Sequence, residues 1–596
     1  MLRFLKAVVL SAAATLTLTA CSRAPAPAAP QAAPAAAPVD RLARLVEDYW
    51  DEYQRLNPLR LPAGAAVRFD PVAGYDISPQ FLADSLALER RYLDALASVP
   101  RAALPAESQL TFDIFRRERE LAIESFTYPA ELMPVNPERS LPVEFARIGA
   151  GADQFAVLSA KDYDNWQARA DAYVRWTQQA IDNMRDGLRR GYTLPRPIVA
   201  RMLPLLSNLG ADTPENVFYR PSHAIPATVS DDERRRFMEG ITAGVRDKIL
   251  PAYRRLHDFL RDEYLPRARQ TVGLSALTLG PPWYAFLVRR ETASKLSPAA
   301  IHALGISETE RVRGRLQALI AETGFTGNLQ AFFDAEHREP RVSYQTPQEL
   351  LDYYGQLKTT VAQAIPALFS QAPQADFAVR PLEAYREADA PPLSYQRSAN
   401  RDAPAVLYVD TAGSPLVAHT AMFLREALPG HHFEVAMQAE RTGLPKFRRY
   451  GGDPGFVAGW GLYAESLGDE LGVYHDTESK FGNLADQLEC AVLLVVDTGL
   501  HAEGWSRDQA LDFVKAQVPA SEGQVAALVD RAIAMPAESL ACGLGLYAMR
   551  SLRSHAEQVL GAHFDIRDFH SELIDDGAMP LDILESAANL WLDKLH

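Results

Sequence analysis

The chain has 596 residues, and its 61 Lys and Arg against 76 Asp and Glu give a formal net charge of −15. This acidity argues against a nucleic-acid binder, which needs clustered basic side chains to release counterions. Three cysteines in this length exclude a disulfide-framework protein, and no internal stretch of about 20 apolar residues is present to span a membrane.

The N-terminus has the pattern of a bacterial lipoprotein leader. Arg3 and Lys6 precede a short apolar run, and the small residues that follow lead to Leu-Thr-Ala-Cys, which ends at Cys21. We therefore predict a signal peptide over residues 1–20 and a lipid anchor on Cys21; an ordinary cleaved signal is the alternative. Residues 21–40 are mostly Ala and Pro and predict an extended tether. Serine, not aspartate, follows the cysteine, which favours the outer membrane, facing the periplasm.

Helical signals dominate from residue 41 onward. Ser78-Pro79 and Ser297-Pro298 each combine an N-cap with a first-turn proline. Behind the second pair, apolar residues recur at helical spacing as far as Gly324, which is typical of a helix C-terminus. The segment from Tyr163 to Arg190 predicts a long amphipathic helix that ends before Gly191.

The domain organisation follows from proline-rich breaks near 195–230 and 265–283. They predict a mainly α fold in two lobes, a helical N-terminal lobe over 41–270 and a C-terminal lobe over 271–596. The best strand signal is the short β-branched run Ala405–Val409.

Residues that can carry chemistry concentrate just after this strand. The segment FLREALPGHHFE places Glu426 ahead of the adjacent His431 and His432. Imidazole and carboxylate groups suit zinc, and a nearby glutamate can take a proton from a metal-bound water. From the residues alone, a His-His pair after Pro-Gly is also typical of a solvated turn, so both interpretations stay open.

Pro429-Gly430 interrupts the helix that would carry these residues. Proline lacks the amide donor and clashes with the carbonyl four residues back, at Arg425. We therefore expect a kink or bulge, a distortion that functional sites often carry. In an undistorted helix Glu426 and His431 would point away from each other, whereas the distortion lets them converge.

A second segment, GWGLYAE, ends at Glu465. On a helix, Glu465 shares a face with Gly461, Gly468 and Gly472, beside an apolar face formed by Trp460, Tyr463, Ala464, Leu467, Leu471 and Tyr474. A glycine-lined face lets another group approach closely, so a carboxylate there is expected to have a metal or a cation as its partner. An ordinary surface carboxylate is the alternative.

At these residues the chain resembles the bacterial family called domain of unknown function 885, whose members are often lipoproteins. The family pattern H-E-[AG]-x-P-G-H-H-x-Q followed by E-G-W-A-L-Y-x-E is matched here by P-G-H-H and G-W-x-L-Y-x-E, and the likeness covers most of residues 41–596. That family resembles zinc peptidases with H-E-x-x-H and a downstream glutamate. The resemblance implies a zincin-like, two-lobed helical ellipsoid with a deep cleft, and an edge strand at Ala405–Val409 that pairs with an extended peptide.

The resemblance also implies roles for single residues. It assigns the general base to Glu426. It makes His431 and His432 the paired histidines of the pattern, of which at least one binds zinc, and Glu465 the downstream zinc ligand. It makes Tyr547 a residue that stabilises an oxyanion, and His501 the family histidine further along the chain.

Two departures from the family pattern fall at positions that bear on metal binding. Arg425 stands where the family has its first histidine, and Glu434 stands where it has glutamine. These two side chains could neutralise each other as an ion pair, or Glu434 could replace the lost ligand. Elsewhere, Ala541-Cys542-Gly543 replaces P-G-Q and Leu493 replaces an arginine.

The sequence thus predicts a zinc-dependent hydrolase, a peptidase acting on periplasmic peptides. The alternative is a catalytically degenerate, peptidase-like lipoprotein that binds peptides or a protein partner. A helical solute-binding or assembly lipoprotein is a third, weaker interpretation. Cys490 and Cys542 could form a disulfide in the periplasm or remain thiols.

Overall fold

The computed structural model describes residues 37–57, 76–151, 155–338, 343–382, 391–397, 404–412 and 416–595. The predicted signal peptide, Cys21 and most of the predicted tether lie outside these ranges. Within them, no helix is both long enough and apolar enough to cross a membrane.

The described chain is mainly α-helical. The first nine α-helices are α1 (Pro38–Leu56), α2 (Pro79–Ala97), α3 (Ala106–Ser125), α4 (Leu141–Gly149), α5 (Ala160–Arg190), α6 (Arg196–Leu209), α7 (Arg220–His223), α8 (Asp231–Gly244) and α9 (Leu250–Phe259). Next come α10 (Gly280–Thr292), α11 (Pro298–Glu322), α12 (Leu329–Arg338), α13 (Pro347–Leu368), α14 (Thr420–Glu426), α15 (His431–Glu440), α16 (Lys446–Tyr450) and α17 (Pro454–Glu465). The last six are α18 (Thr477–His501), α19 (Arg507–Gln517), α20 (Glu522–Ala534), α21 (Leu540–Leu560), α22 (Ile566–Ile574) and α23 (Leu581–Leu595).

The predicted helix ends are confirmed where local chemistry sets them. The hydroxyls of Ser78 and Ser297 each accept a hydrogen bond from the amide three residues on, at the starts of α2 and α11. Gly191 and Gly324 follow α5 and α11 with φ of 81° and 73°, in the left-handed region that glycine adopts at low cost.

A three-stranded sheet lies between α13 and α14 in the chain. It consists of β1 (Phe377–Pro381), β2 (Leu393–Gln396) and β3 (Ala405–Val409) in the order β1-β3-β2. The strand predicted at Ala405–Val409 is confirmed, but its predicted position at the edge is wrong. β3 pairs parallel with β1 and antiparallel with β2, so both its sides are occupied by backbone hydrogen bonds. An edge is therefore offered by β2, not by β3.

The largest apolar core contains residues from both sides of the predicted boundary near residue 270. It combines α1 to α3 with α13, the sheet, α14, α17 and α21 to α23. A second core lies within residues 135–268, and a third joins α11 to α18, α19 and α20. The two lobes and the deep cleft between them stay predictions.

A disulfide joins Cys490 of α18 to Cys542 of α21, with their Cα atoms 5.9 Å apart. Of the two alternatives that the sequence left open, the structure has the bonded one. The bond ties α18, which carries residues of the candidate site described next, to α21.

Candidate functional site

The site begins at a complete break between α14 and α15. The first helix ends at Glu426, Leu428-Pro429 is a cis peptide, and the second begins at His431. A Cβ on Gly430 would overlap the carbonyl oxygen of Arg425, so only glycine fits this return of the chain. The predicted kink is thus a full interruption, which brings the end of one helix against the start of the next.

Arg425 is the cation at the centre of this site. Its Nη2 donates to Asp486 Oδ2 at 2.6 Å, and its Nε lies 3.6 Å from Glu465 Oε2. The side chain of Arg425 is 22% exposed and that of Glu465 is fully buried. The expectation that Glu465 would have a metal or a cation beside it is met by this guanidinium.

Burial and the charge of Asp486 raise the pKa of two acidic groups around Arg425. Burial raises the pKa of Glu465 well above its ordinary value, and the Asp486 carboxylate adds to the rise, while Arg425 opposes it. One turn along α18, burial and the charge of Asp486 raise the pKa of Glu489 to about 7. Burial disfavours the charge on Arg425, but the carboxylates of Asp486 and Glu465 outweigh it and raise its pKa. The guanidinium is therefore charged and surrounded by carboxyl groups.

Of the three glycines predicted to share a helix face with Glu465, only Gly461 lies on α17, because the helix ends at Glu465, before Gly468 and Gly472. A Cβ on Gly461 would lie 3.0 Å from His431 Cε1 and 3.1 Å from Arg425 Cγ. His431 thus packs on Gly461 beside Arg425. Its Nδ1 is buried without a hydrogen-bond partner in the part of the chain that the structure describes. Burial lowers the pKa of His431, while the charge of Glu426 opposes that shift.

Glu426 connects the helix break to the sheet. Its Oε2 accepts a hydrogen bond from the backbone amide of Tyr395, in β2, at 3.2 Å. The carboxylate predicted as a general base therefore lies against the strand that forms an edge of the sheet. Its charge acts on His431, and the convergence of the two side chains stays a prediction.

His432 points away from this cluster. Its Nδ1 is 3.2 Å from the Tyr395 hydroxyl, its Nε2 is 3.1 Å from the Ala375 carbonyl oxygen, and its ring lies 4.7 Å from that of Phe377. Burial lowers its pKa to about 4. Because both nitrogens have protein partners, neither is free to hold a metal in this arrangement.

Glu434 lies on the same helix and is 1% exposed. Neither of its carboxyl oxygens has a hydrogen-bond partner among the described residues. Burial raises its pKa to about 7, and Arg397 acts in the opposite direction. The hypothesised ion pair between Arg425 and Glu434 is not formed, because the ion-pair partners of Arg425 in the described structure are Glu465 and Asp486.

The two other catalytic candidates are not brought into contact with the cluster. His501 is fully buried, with Nδ1 accepting from the Leu274 amide and Nε2 bonded to the Ala532 carbonyl. It follows Asp486 by fifteen residues on α18, which places it about 22 Å away along the helix axis. Tyr547 of α21 is 44% exposed and lines a separate pocket, described below.

The residues do not fit a zinc site of the expected kind. Such sites use three or four protein ligands. The described residues contain no group of three or more His, Cys, Asp or Glu side chains arranged to hold a metal ion. His431 and Glu465 stand at positions that the resemblance assigns to zinc ligands, and Arg425 stands where the family pattern has its first histidine.

The sequence interpretation did not identify Asp486 and Glu489. Their spacing of three residues, at the polar end of an otherwise apolar helix, places them on one face of α18. That spacing was the available signal, but nothing in it indicates which distant side chain the face meets.

Comparisons with known proteins agree with this fold. The solved structure of "the putative lipoprotein from Colwellia psychrerythraea" is similar over 94% of this chain and 100% of its own, with a TM-score of 0.83 and 22% identity. A "putative lipoprotein of unknown function from Shewanella oneidensis" is similar over 92% of this chain and 99% of its own, with a TM-score of 0.69 and 14% identity. No curated protein matches the sequence. The family model described as "Bacterial protein of unknown function (DUF885)" matches residues 74–587, and the chain therefore belongs to that family.

Proposed function

We propose that this protein is a peptidase-like envelope lipoprotein that binds extended peptides and in which an arginine has replaced the catalytic metal. The observation that carries the proposal is the position of Arg425. Its guanidinium contacts Asp486 and Glu465, and Glu465 is the carboxylate that the resemblance assigns to the metal.

Electrostatics supports this proposal over a metal-dependent one. Two like unit charges 4 Å apart repel by about 4 kcal/mol at an effective dielectric constant of 20, and a dication doubles that figure to about 8 kcal/mol. Arg425 could leave only by breaking its charge-assisted hydrogen bond to Asp486 at 2.6 Å. Zinc would therefore have to bind against an internal cation with only two family ligands in place.

The sheet supports a peptide as the ligand. β2 is paired by β3 on one side, and on the side of the site its Tyr395 amide donates to the Glu426 side chain rather than to another strand. An extended peptide can add to such an edge through main-chain hydrogen bonds. In this proposal the peptide backbone takes over the Tyr395 amide, and Glu426 is displaced.

The cellular location in this proposal rests on the N-terminal sequence. Cys21 follows a leader of the lipoprotein type, and both solved structures described above carry the name lipoprotein. We place the protein on the outer membrane, facing the periplasm. Replacement of Cys21 by serine should abolish labelling by radioactive palmitate and release the chain from the membrane fraction.

Elemental analysis tests the proposal that the protein binds no catalytic metal. Protein purified without chelator should contain far less than one zinc per chain, and Arg425→His should gain close to one. Arg507→His is the matched control, because Arg507 pairs with Asp530 on other helices and should not alter metal content. Full zinc occupancy in the wild type would overturn the proposal.

A zinc-dependent peptidase is the second candidate. It is favoured by His431 Nδ1, which is buried without a hydrogen-bond partner in the described structure. It requires that the wild type hold one zinc and hydrolyse peptides, and that Glu426→Gln lose the hydrolysis while retaining the zinc.

A further inference from the structure

A pocket of about 450 Å³ lies between α11, α18 and α21, on a different face of α18 from Asp486. Its charged lining consists of Arg311 and Arg315 from α11, Arg550 from α21 and one carboxylate, Glu308. In a chain with a formal charge of −15, this pocket has three guanidinium groups against one carboxylate. The charged lining of the pocket is therefore net positive, whereas the whole chain is net negative.

Two of the three guanidinium groups are not paired directly with a protein carboxylate in the described ranges. Arg311 pairs with Glu308 at 2.7 Å. Neither Arg315 nor Arg550 has a carboxylate within ion-pair distance in the described ranges, and Arg550 donates instead to the neutral Gln487 Oε1 at 2.8 Å. Burial and the charges of Arg311 and Arg315 lower the pKa of Arg550 to about 10, while the Glu308 carboxylate opposes this shift. Two cations of the pocket lining thus have no direct ion-pair partner among the described residues.

Neutral groups complete the lining. The side chains of Tyr547, Ser551 and Ser554 bring three hydroxyls to the wall, and Leu494 and Leu546 supply apolar surface. Guanidinium groups bind carboxylate and phosphate oxygens through paired N–H donors, and hydroxyls add single donors. A volume of this size accommodates a small organic molecule.

We propose that this pocket is a binding site for a small molecule bearing an oxyanion group, phosphate or carboxylate. Arg315 and Arg550 hold the anionic group, the hydroxyls of Tyr547 and Ser551 donate to its remaining oxygens, and the apolar wall contacts the rest of the molecule. The site does not depend on the Arg425 cluster, where carboxylates repel anions, and it stands whether or not the protein binds peptides.

Isothermal titration calorimetry on the full chain tests this site, with inorganic phosphate and citrate as separate probes. Ionic strength is held constant with sodium chloride, so that non-specific screening is matched. If only phosphate binds saturably, the ligand bears a phosphate group. If only citrate binds saturably, the ligand bears a carboxylate. Saturable binding of both probes supports a site that accepts either oxyanion. Absence of saturable binding of either probe at millimolar concentration overturns the proposal.

Variants assign the binding to this pocket. Arg550→Gln and Arg315→Gln should each weaken the observed binding about tenfold or more, because each removes a charge-assisted hydrogen bond. Arg315 is exposed, so its variant retains the fold even if Arg550→Gln does not. Arg507→Gln, outside the pocket, should leave the affinity unchanged. Equal affinities in the wild type and in a folded Arg315→Gln variant refute the assignment.

Discussion

Glu434 is a buried carboxyl group whose ionisation should oppose folding. It is 1% exposed and lacks a hydrogen-bond partner within the described chain, and burial raises its pKa to about 7. Glutamine, which the family pattern has at this position, has nearly the same shape as glutamate and cannot ionise. We therefore predict that Glu434→Gln stabilises the protein at high pH and has little effect at low pH.

The size of the effect follows from the pKa shift. A rise from the reference value of 4.5 to about 7 corresponds to about 3 kcal/mol at about 1.4 kcal/mol per unit. Between these two values the folded state binds the proton and the unfolded state has lost it, so the free energy of unfolding falls as pH rises. The contribution of Glu434 is complete below pH 4.5 and lost above pH 7. Glu434→Gln should be up to about 3 kcal/mol more stable than the wild type at pH 8.

Urea denaturation followed by circular dichroism, at a series of pH values from 4.5 to 8, measures this difference. Glu310→Gln is the control, because Glu310 is exposed on α11 and its replacement should shift the whole profile uniformly or not at all. Parallel pH profiles for the wild type and Glu434→Gln would refute the reasoning, since they would mean that Glu434 has the same proton affinity in both states.

Three further predictions concern stability, each read from denaturant midpoints. Arg425→Gln should cost about 3 kcal/mol, because it leaves buried carboxylates without their cation, and Arg425→Lys should recover part of the loss; an unchanged midpoint would contradict the ion-pair geometry. Gly461→Ala should lower the free energy of unfolding by about 1–3 kcal/mol relative to Gly314→Ala, because a Cβ meets an imidazole ring at the first position and open space at the second. Replacing both members of the Cys490–Cys542 disulfide by alanine should cost about 4 kcal/mol for a 52-residue separation, and identical melting with and without reductant would count against the bond.

Local chemistry was readable from the sequence wherever neighbouring residues decide the outcome. Ser297-Pro298 predicted the start of α11, and Ala405–Val409 predicted β3, because caps, prolines and β-branched runs act over a few residues. The sequence predicted a distortion of the helix at Pro429-Gly430, and the structure has a complete break there instead of a kink.

Pairing between distant segments was less readable. The alternating burial of β3 is the same in an edge strand and in a central one, so its partners β1 and β2 could not be inferred from its own residues. Likewise, His432 and His501 have the residue type of a ligand or a base. Their nitrogens are taken by Tyr395, Ala375, Leu274 and Ala532, which lie far away in the chain.

The sequence by itself determined the acidic composition, the helical periodicity, the family motifs and the presence of arginine at position 425. Only the tertiary structure decided what that arginine does. Charge and hydrogen bonding act through space, and α17 and α18 bring Glu465 and Asp486 to Arg425 from 40 and 61 residues away. The same packing leaves Arg315 and Arg550 in the lining of one pocket without a direct ion-pair partner in the described structure, which no local pattern indicates.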